Sequence, residues 1–190
     1  IDSLARIRVK SLDQADLKAR MLEFFAWHRN IMPHLHLSLQ SGSDRVLRRM
    51  CRPYTAGDFV ARVELANSIL DRPAITTDII VGFPGESEAQ FQNTYDLLAE
   101  LKLDVSHLAR YSTRPGTVAD RRMEDGVPES EKMRRFRLLE DLQENIAAEI
   151  NARYLGERVD VLFEERVKGR WKGRTPTNKL VFLESQEDLH

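Results

Sequence analysis

Ile75-Thr76-Thr77-Asp78-Ile79-Ile80-Val81-Gly82-Phe83-Pro84-Gly85-Glu86 joins a β-branched run, a glycine turn and the start of a helical pattern with no spare residue. Ile75, Ile79, Ile80 and Val81 read as a short strand covered on both faces, as in a parallel sheet. Asp78 interrupts that run, and a carboxylate there needs a backbone amide or a ligand as its partner. Gly82 and Gly85 permit a sharp turn or a close approach to a ligand, and Pro84 stiffens the turn between them. Ser87 is placed to cap a helix continued by Phe91, Thr94, Tyr95, Leu97, Leu98 and Leu101. A strand followed by a helix N-terminus is the anatomy of a ligand-binding edge, and equally of a βα turn that serves folding alone.

Working outward, 190 residues with a 42% hydrophobic share suffice for one domain and a small appendage. No apolar run reaches the roughly 18 to 20 residues that span a bilayer. Ile1 to Arg6 lacks a signal-peptide pattern, so a cytoplasmic address with no membrane partner is expected. Cys51 is the sole cysteine, which excludes an internal disulfide and a cluster held only by this chain's thiolates. A net charge of −1 argues against a uniformly basic nucleic-acid binder but allows a local basic patch.

Arg6 to Lys10 alternates apolar and basic residues and predicts a strand, followed by a helix through Leu17, Met21, Leu22, Phe24 and Phe25. His34 to Gln40 alternates again, and Ser41-Gly42-Ser43-Asp44 turns into a short helix. Thr55 to Leu70 reads as a longer helix, and Asp104 to Tyr111 as the fourth strand. The fold class is therefore α/β, with a parallel sheet that forms part of a (β/α) barrel begun in mid-fold. A long helix from Glu129 to about Tyr154, apolar on one side and charged on the rest, closes this part. Val159 to Phe163 and Lys179 to Leu183 then open a small all-β module, cut short at His190. The division falls at 1–155 and 156–190.

Three strand ends carry polar clusters: Gln40, Ser41 and Ser43; Asp78 with Gly82 to Glu86; and Arg110 to Ser112 with Arg114 to Thr117. Gathered at one edge they would line one pocket, with neutral groups for hydroxyls or an amino-acid moiety and arginines for a carboxylate or phosphate. Ordinary turn chemistry places the same residue types there. His34 and His36 share a face of their strand, but no third ligand is adjacent, so backbone-held imidazoles are expected rather than a metal site. Cys51 has no activating base and reads as an inert thiol. Arg166, Lys168, Arg170, Lys172 and Arg174 surround Trp171 in one dense basic segment, which reads as phosphate contacts around a base-stacking ring, or as solvated surface.

Four stretches in order resemble one family: His-Leu-His-Leu-Ser-Leu-Gln-Ser-Gly-Ser-Asp-Arg-Val-Leu-Arg-Arg-Met (34–50), Thr-Thr-Asp-Ile-Ile-Val-Gly-Phe-Pro-Gly-Glu (76–86), Tyr-Ser-Thr-Arg-Pro-Gly-Thr (111–117) and Gly-Arg-Thr-Pro-Thr-Asn-Lys (173–179). Together they resemble the radical S-adenosylmethionine methylthiotransferases, from the latter part of the radical domain into the TRAM domain. The last stretch is most similar to the enzymes that add a methylthio group to C2 of isopentenyl-modified adenosine 37 in tRNA. Relatives that act on threonylcarbamoyl-adenosine, or on an aspartate of a ribosomal protein, share most of the other motifs. The family's Cys-x3-Cys-x2-Cys is absent, as is the amino-terminal domain with its own three cysteines, so the resemblance implies the carboxyl-terminal part of an enzyme. Thr113 stands where the family has proline, and Cys51 where it has asparagine.

The resemblance implies S-adenosylmethionine as cofactor and [4Fe-4S] clusters in the complete enzyme. One cluster cleaves S-adenosylmethionine to a 5′-deoxyadenosyl radical that abstracts hydrogen from the substrate carbon. Sulfur is then inserted, with the auxiliary cluster and a sulfur donor, and a second S-adenosylmethionine supplies the methyl group. Gln40, Ser41, Ser43, Asp78, Gly82, Phe83, Pro84, Gly85 and Arg110 would contact the cofactor. Arg166, Lys168, Arg170, Trp171, Lys172, Arg174 and Asn178 would hold tRNA. The missing amino-terminal portion is then a further partner. A stand-alone RNA-binding module and a phosphate-binding barrel hydrolase or lyase are the rival readings, although no nucleophile and base pair is visible for the latter.

Overall fold

The computed structural model describes residues 4–189; Ile1 to Ser3 and His190 lie outside them. A parallel sheet is formed by β1 (His34–His36), β2 (Ala74–Val81) and β3 (Val105–Arg110), in that order. The register sets His36 beside Thr76, and Asp78 beside His107. Helices α1 (Ala19–Trp27), α2 (Asp44–Arg49), α3 (Ala56–Ile69) and α4 (Glu88–Leu101) provide the connections, and a short α5 (Val118–Arg122) leads to α6 (Glu129–Ala152). The cap expected at Ser87 forms, accepting from Gln90 N, and Thr55 caps α3 in the same way, accepting from Asp58 N, each with the reciprocal bond of a capping box, whereas Ser43 before α2 makes no side-chain cap.

Two predicted strands are shorter than the alternation implies. Arg6 to Lys10 makes no ladder. Only isolated parallel bridges, Ile7 with Ile31 and Leu12 with Leu37, tie this segment to the sheet, because Ser11 at φ 55 breaks the extended run between them. The 34–40 strand keeps its ladder for three residues and touches β2 again at the Gln40 bridge to Ile79. Ile75, Ile79 and Val81 face the helices, packed with Leu35, Leu37, Leu39, Phe59 and Phe91, whereas Thr76, Asp78 and Ile80 face the open side.

The small module is an antiparallel sheet of β4 (Leu162–Val167), β5 (Arg170–Arg174) and β6 (Leu180–Leu183). Its first strand starts three residues later than Val159. The dense basic segment is a hairpin rather than a loop, since Lys168 (φ 50) and Gly169 (φ 81) supply the two left-handed residues of a two-residue turn.

Helix α6 clamps the carboxyl edge of the parallel sheet. Arg135 donates from Nη1 to Glu86 Oε2 at 2.9 Å and to the Glu86 carbonyl at 3.1 Å, and Glu86 Oε2 accepts from Gly82 N at 2.7 Å. Both side chains are buried, 5% and 1% exposed. Burial pushes the Glu86 carboxyl above its ordinary value, against the opposing pull of the Gly82 N–H and Arg135. Lys132, also buried, bonds Asp125 Oδ2 at 2.6 Å and the Tyr111 carbonyl at 3.3 Å. Its stem fills the space above Gly82, where a Cβ would stand 2.3 Å from Lys132 Cγ, so that glycine is required by the clamp and by its φ of 74°. Glu131 accepts from Arg134 and Arg135, which holds it down at about 2.

Two outcomes follow from this clamp. Arg135→Ala strips Glu86 of its buried counter-charge and is expected to cost about 3 to 5 kcal/mol of unfolding free energy in urea titrations; a loss below about 1 kcal/mol contradicts the clamp. The depressed Glu131 carboxyl adds stability that is present above its ordinary value of 4.5 and lost as pH falls toward about 2. The Tm gap between the parent and Glu131→Gln is therefore widest above about pH 5 and closes on acidification. A gap that stays constant from pH 7 to pH 3 overturns the assignment.

Candidate cofactor edge and nucleic-acid surface

At the carboxyl ends of the parallel strands a cavity of about 550 Å³ is lined by Gln40, Ile80, Phe83, Ala109, Arg110 and Tyr111, with Arg49, Met50, Ser112 and Arg114 at its margin. Gln40 has a left-handed backbone (φ 71), which is uncommon for a non-glycine residue. Its backbone is fully used, donating to the Asp78 carbonyl at 2.8 Å and accepting from Ile80 N at 2.9 Å. Among the described residues its side-chain amide makes no hydrogen bond, although Gln40 is buried. Phe83 and Tyr111 meet edge to face with ring centroids 5.2 Å apart, forming an apolar wall. The edge therefore offers an apolar wall beside an unspent amide donor and acceptor.

The other strand-end residues have different surroundings. Ser41 and Ser43 are buried away from the cavity: Ser41 Oγ lies 3.3 Å from Thr94 Oγ1 and accepts from Ser43 N at 3.2 Å, while Gly42 N donates to Thr94 at 2.9 Å. They join the 41–43 turn to α4. Among the described residues no backbone amide bonds the Asp78 carboxylate; its Oδ2 accepts from Ser38 Oγ and His36 Nε2, each at 3.0 Å. A carboxylate only accepts, so the facing Nε2 carries the hydrogen, and Nδ1 sits 2.9 Å from Thr76 Oγ1. The His36 imidazole is thus held by side chains rather than by the backbone. Gly82 and Gly85 make their close approaches to Lys132 and Arg49, and Pro84 is buried in the turn. Arg110 reaches the cavity but is paired with Glu129.

A larger cavity, about 980 Å³, lies at the opposite ends of the strands, between His34, His36, Thr76 and His107 and the 175–181 stretch of the small sheet. Among the described residues no group of three His, Cys, Asp or Glu side chains is arranged for a metal ion, and no helix is long and apolar enough to cross a membrane. Cys51 is exposed.

The hairpin turns Trp171 inward, away from the position a base-stacking ring needs. It is 5% exposed and its Nε1 donates to the Glu187 carbonyl at 2.9 Å, so it forms the small sheet's core rather than a platform for a base. The surrounding cations are partly engaged. Arg166 stacks over Trp171 at 4.7 Å, Arg170 over Phe182 at 5.3 Å, Lys172 pairs with Glu165 at 2.6 Å, and Arg174 bonds the Asn178 carbonyl at 3.2 Å. Lys168 stands exposed at the hairpin tip. The sequence reading includes Glu86 in a strand-end cluster but misses its partners on α6, Lys132 and Arg135. In the sequence the two cations are indistinguishable from the solvated face of a charged helix, and only the apolar Phe-Pro-Gly before Glu86 hinted that this carboxylate enters a buried turn.

Residues 10–98 match the radical SAM superfamily. A tRNA-2-methylthio-N(6)-dimethylallyladenosine synthase of Chloroflexus aurantiacus is 43% identical over 98% of this chain and 41% of its own length. One from Dehalococcoides mccartyi is 40% identical over the full chain and 45% of its own length. A threonylcarbamoyladenosine tRNA methylthiotransferase of Thermotoga maritima is 42% identical over 84% of the chain and 36% of its own length. The chain thus spans less than half the length of these relatives. Among solved structures, the radical SAM coproporphyrinogen III oxidase of Escherichia coli superposes with a TM-score of 0.55 at 22% identity, over 77% of this chain and 32% of that one, a likeness of fold. This chain carries a radical SAM domain and is, over nearly its whole length, a homologue of the tRNA methylthiotransferases.

Proposed function

We propose that this chain is the carboxyl-terminal part of a tRNA methylthiotransferase that places a methylthio group on C2 of N6-isopentenyladenosine (dimethylallyladenosine) at position 37 by radical S-adenosylmethionine chemistry. Residues 1–155 are then the latter part of the radical domain with its closing helix, and residues 156–190 part of a TRAM domain. The observation that carries the reading is Gln40: a buried, left-handed residue with an unspent amide on an apolar-walled cavity, in a chain matched end to end by dimethylallyladenosine synthases. The threonylcarbamoyladenosine relative matches a smaller share of the chain, which favours the isopentenyl substrate.

The edge fits S-adenosylmethionine. Ile80, Phe83 and Tyr111 would give the adenine an apolar wall, Gln40 would bond a polar group of the nucleoside or methionine part, and Arg114 would hold the carboxylate. Asp78 orders Ser38 and His36 beneath them. When bound, the cofactor supplies the oxidising radical and, from a second molecule, the methyl group. The iron–sulfur clusters do not fit these residues, since Cys51 is the chain's one thiol; their ligands belong to the amino-terminal portion, the first partner. Transfer RNA is the second partner, held by Lys168, Arg170 and Lys172 on the exposed face of the small sheet, and a sulfur donor is the third. The address is cytoplasmic.

In the full-length enzyme, reconstituted anaerobically with tRNA bearing isopentenyladenosine, mass spectrometry of the digested nucleosides is expected to show the 2-methylthio product. Gln40→Ala is expected to weaken S-adenosylmethionine binding about 10- to 100-fold, the cost of one hydrogen bond lost from a buried site. Gln40→Gly, which tolerates the left-handed backbone, is expected to show the same loss. Unchanged cofactor affinity in both variants removes the edge from the cofactor site, and failure to modify that tRNA overturns the substrate.

A further inference from the structure

We infer that the seam between the 6–10 segment and the small sheet is a phosphate site, one that grips a phosphodiester of the bound RNA away from the exposed hairpin. Arg6, Arg8 and Lys10 alternate along an extended segment whose Ile7 and Val9 pack on the core, so the three cations share the outward face. That face meets Arg174, Asn178 and His34 across a cleft of about 390 Å³.

The charge in this cleft is not balanced. Four cations, Arg6, Arg8, Lys10 and Arg174, stand against two carboxylates, Glu164 on the cleft wall and Asp160 beside Arg6. Among the described residues none of the four cations is within 4.0 Å of a carboxylate oxygen. Backbone carbonyls fix the guanidinium groups without neutralising them: Arg6 donates to the Arg174 and Asp160 carbonyls, Arg8 to Thr175 at 2.6 Å, and Arg174 to Asn178 at 3.2 Å. Two buried nitrogens remain unpartnered, Arg8 Nε, which is a donor, and His34 Nδ1, which carries the hydrogen when Nε2 accepts from the Asn178 amide. Burial first, and then the neighbouring Arg6 and Arg174, pull the Arg8 guanidinium below its ordinary value; burial and then Arg8 lower His34. A fold that holds cations this close, with donors left over, is completed by an anion with several acceptor oxygens. A phosphate group satisfies both deficits, and guanidinium groups fixed from two sides match its oxygens. An RNA strand at the seam bridges the parallel-sheet segment and the small sheet.

The identity of the phosphate as RNA rests on the tRNA reading, so the test separates the two. With the 190-residue chain, an anticodon stem–loop RNA is titrated by fluorescence anisotropy over a salt series, and pyrophosphate binding is followed by calorimetry. Arg8→Gln/Lys10→Gln is expected to weaken RNA binding at least about 10-fold and to lower the salt slope by about 1.4, the share of two phosphate contacts on a single strand. Lys10→Gln alone, which removes no hydrogen bond of the fold, is expected to lower it by about 0.7. Pyrophosphate binding is expected to fall in parallel. If both variants keep the parent's affinity and slope while Lys168→Gln/Arg170→Gln weakens binding, the seam is not the site and the RNA reading stands. If pyrophosphate binds at the seam and RNA does not bind the parent chain, the anion site stands and the RNA reading falls. If the parent binds neither, the site is overturned.

Discussion

The buried pair between Glu86 and Arg135 is the interaction on which the geometry of the candidate edge depends. A Gly82 to Glu86 turn leaving a parallel strand presents backbone N–H groups that need an acceptor, and Glu86 supplies one to Gly82 from within its own turn. That places a carboxylate where almost no water reaches it. Arg135 answers the charge and also bonds the Glu86 carbonyl, so a single side chain ties the turn to α6. Lys132, one helical turn earlier on α6, ties the Tyr111 carbonyl to the same helix. Phe83 and Tyr111, the two rings of the cavity wall, are thereby held from one rigid element.

The opposite end of the parallel sheet is organised by arginines on backbone carbonyls together with an ion pair, Lys179 with Asp104. Arg6 and Arg8 reach backbone oxygens of the small sheet, Lys179 reaches Asp104, and Tyr154 meets Thr177 at 3.1 Å. The small sheet is seated on the parallel sheet's side by polar contacts that leave positive charge over. The two ends of the molecule differ accordingly: the carboxyl edge sets an apolar wall beside arginines at its margin, suited to a nucleoside with an anionic group, and the seam is a cationic cleft suited to a phosphate.

Much of this architecture is legible in the sequence because it is local. The β2 run, the Gly82 turn, the Thr55 and Ser87 caps and the length of α6 follow from period, glycine placement and cap chemistry. The gathering of Gln40, Phe83, Arg110 and Tyr111 at one edge follows from parallel topology alone. What could not be read is where charges go. Arg135 lies 49 residues from Glu86, and Arg8 lies 167 from Thr175; nothing in either neighbourhood marks the partner. Trp171 differs from its sequence reading for a related reason: among cations it looks like a binding ring, whereas the Lys168-Gly169 turn sets the strand register that faces it inward. Ser41 and Ser43 share a motif with Gln40, yet the left-handed backbone at Gln40 turns the chain so that the serines pack on α4.

The central claim is that the carboxyl edge, held by α6, is where S-adenosylmethionine binds. A crystal structure of the full-length enzyme with S-adenosylmethionine tests it most directly. The expected result is the adenine against Phe83 and Tyr111 with the Gln40 amide on the cofactor and the bond between Glu86 and Arg135 unbroken. Cofactor bound instead in the cavity beneath the small sheet, beside His34 and His107, would contradict it.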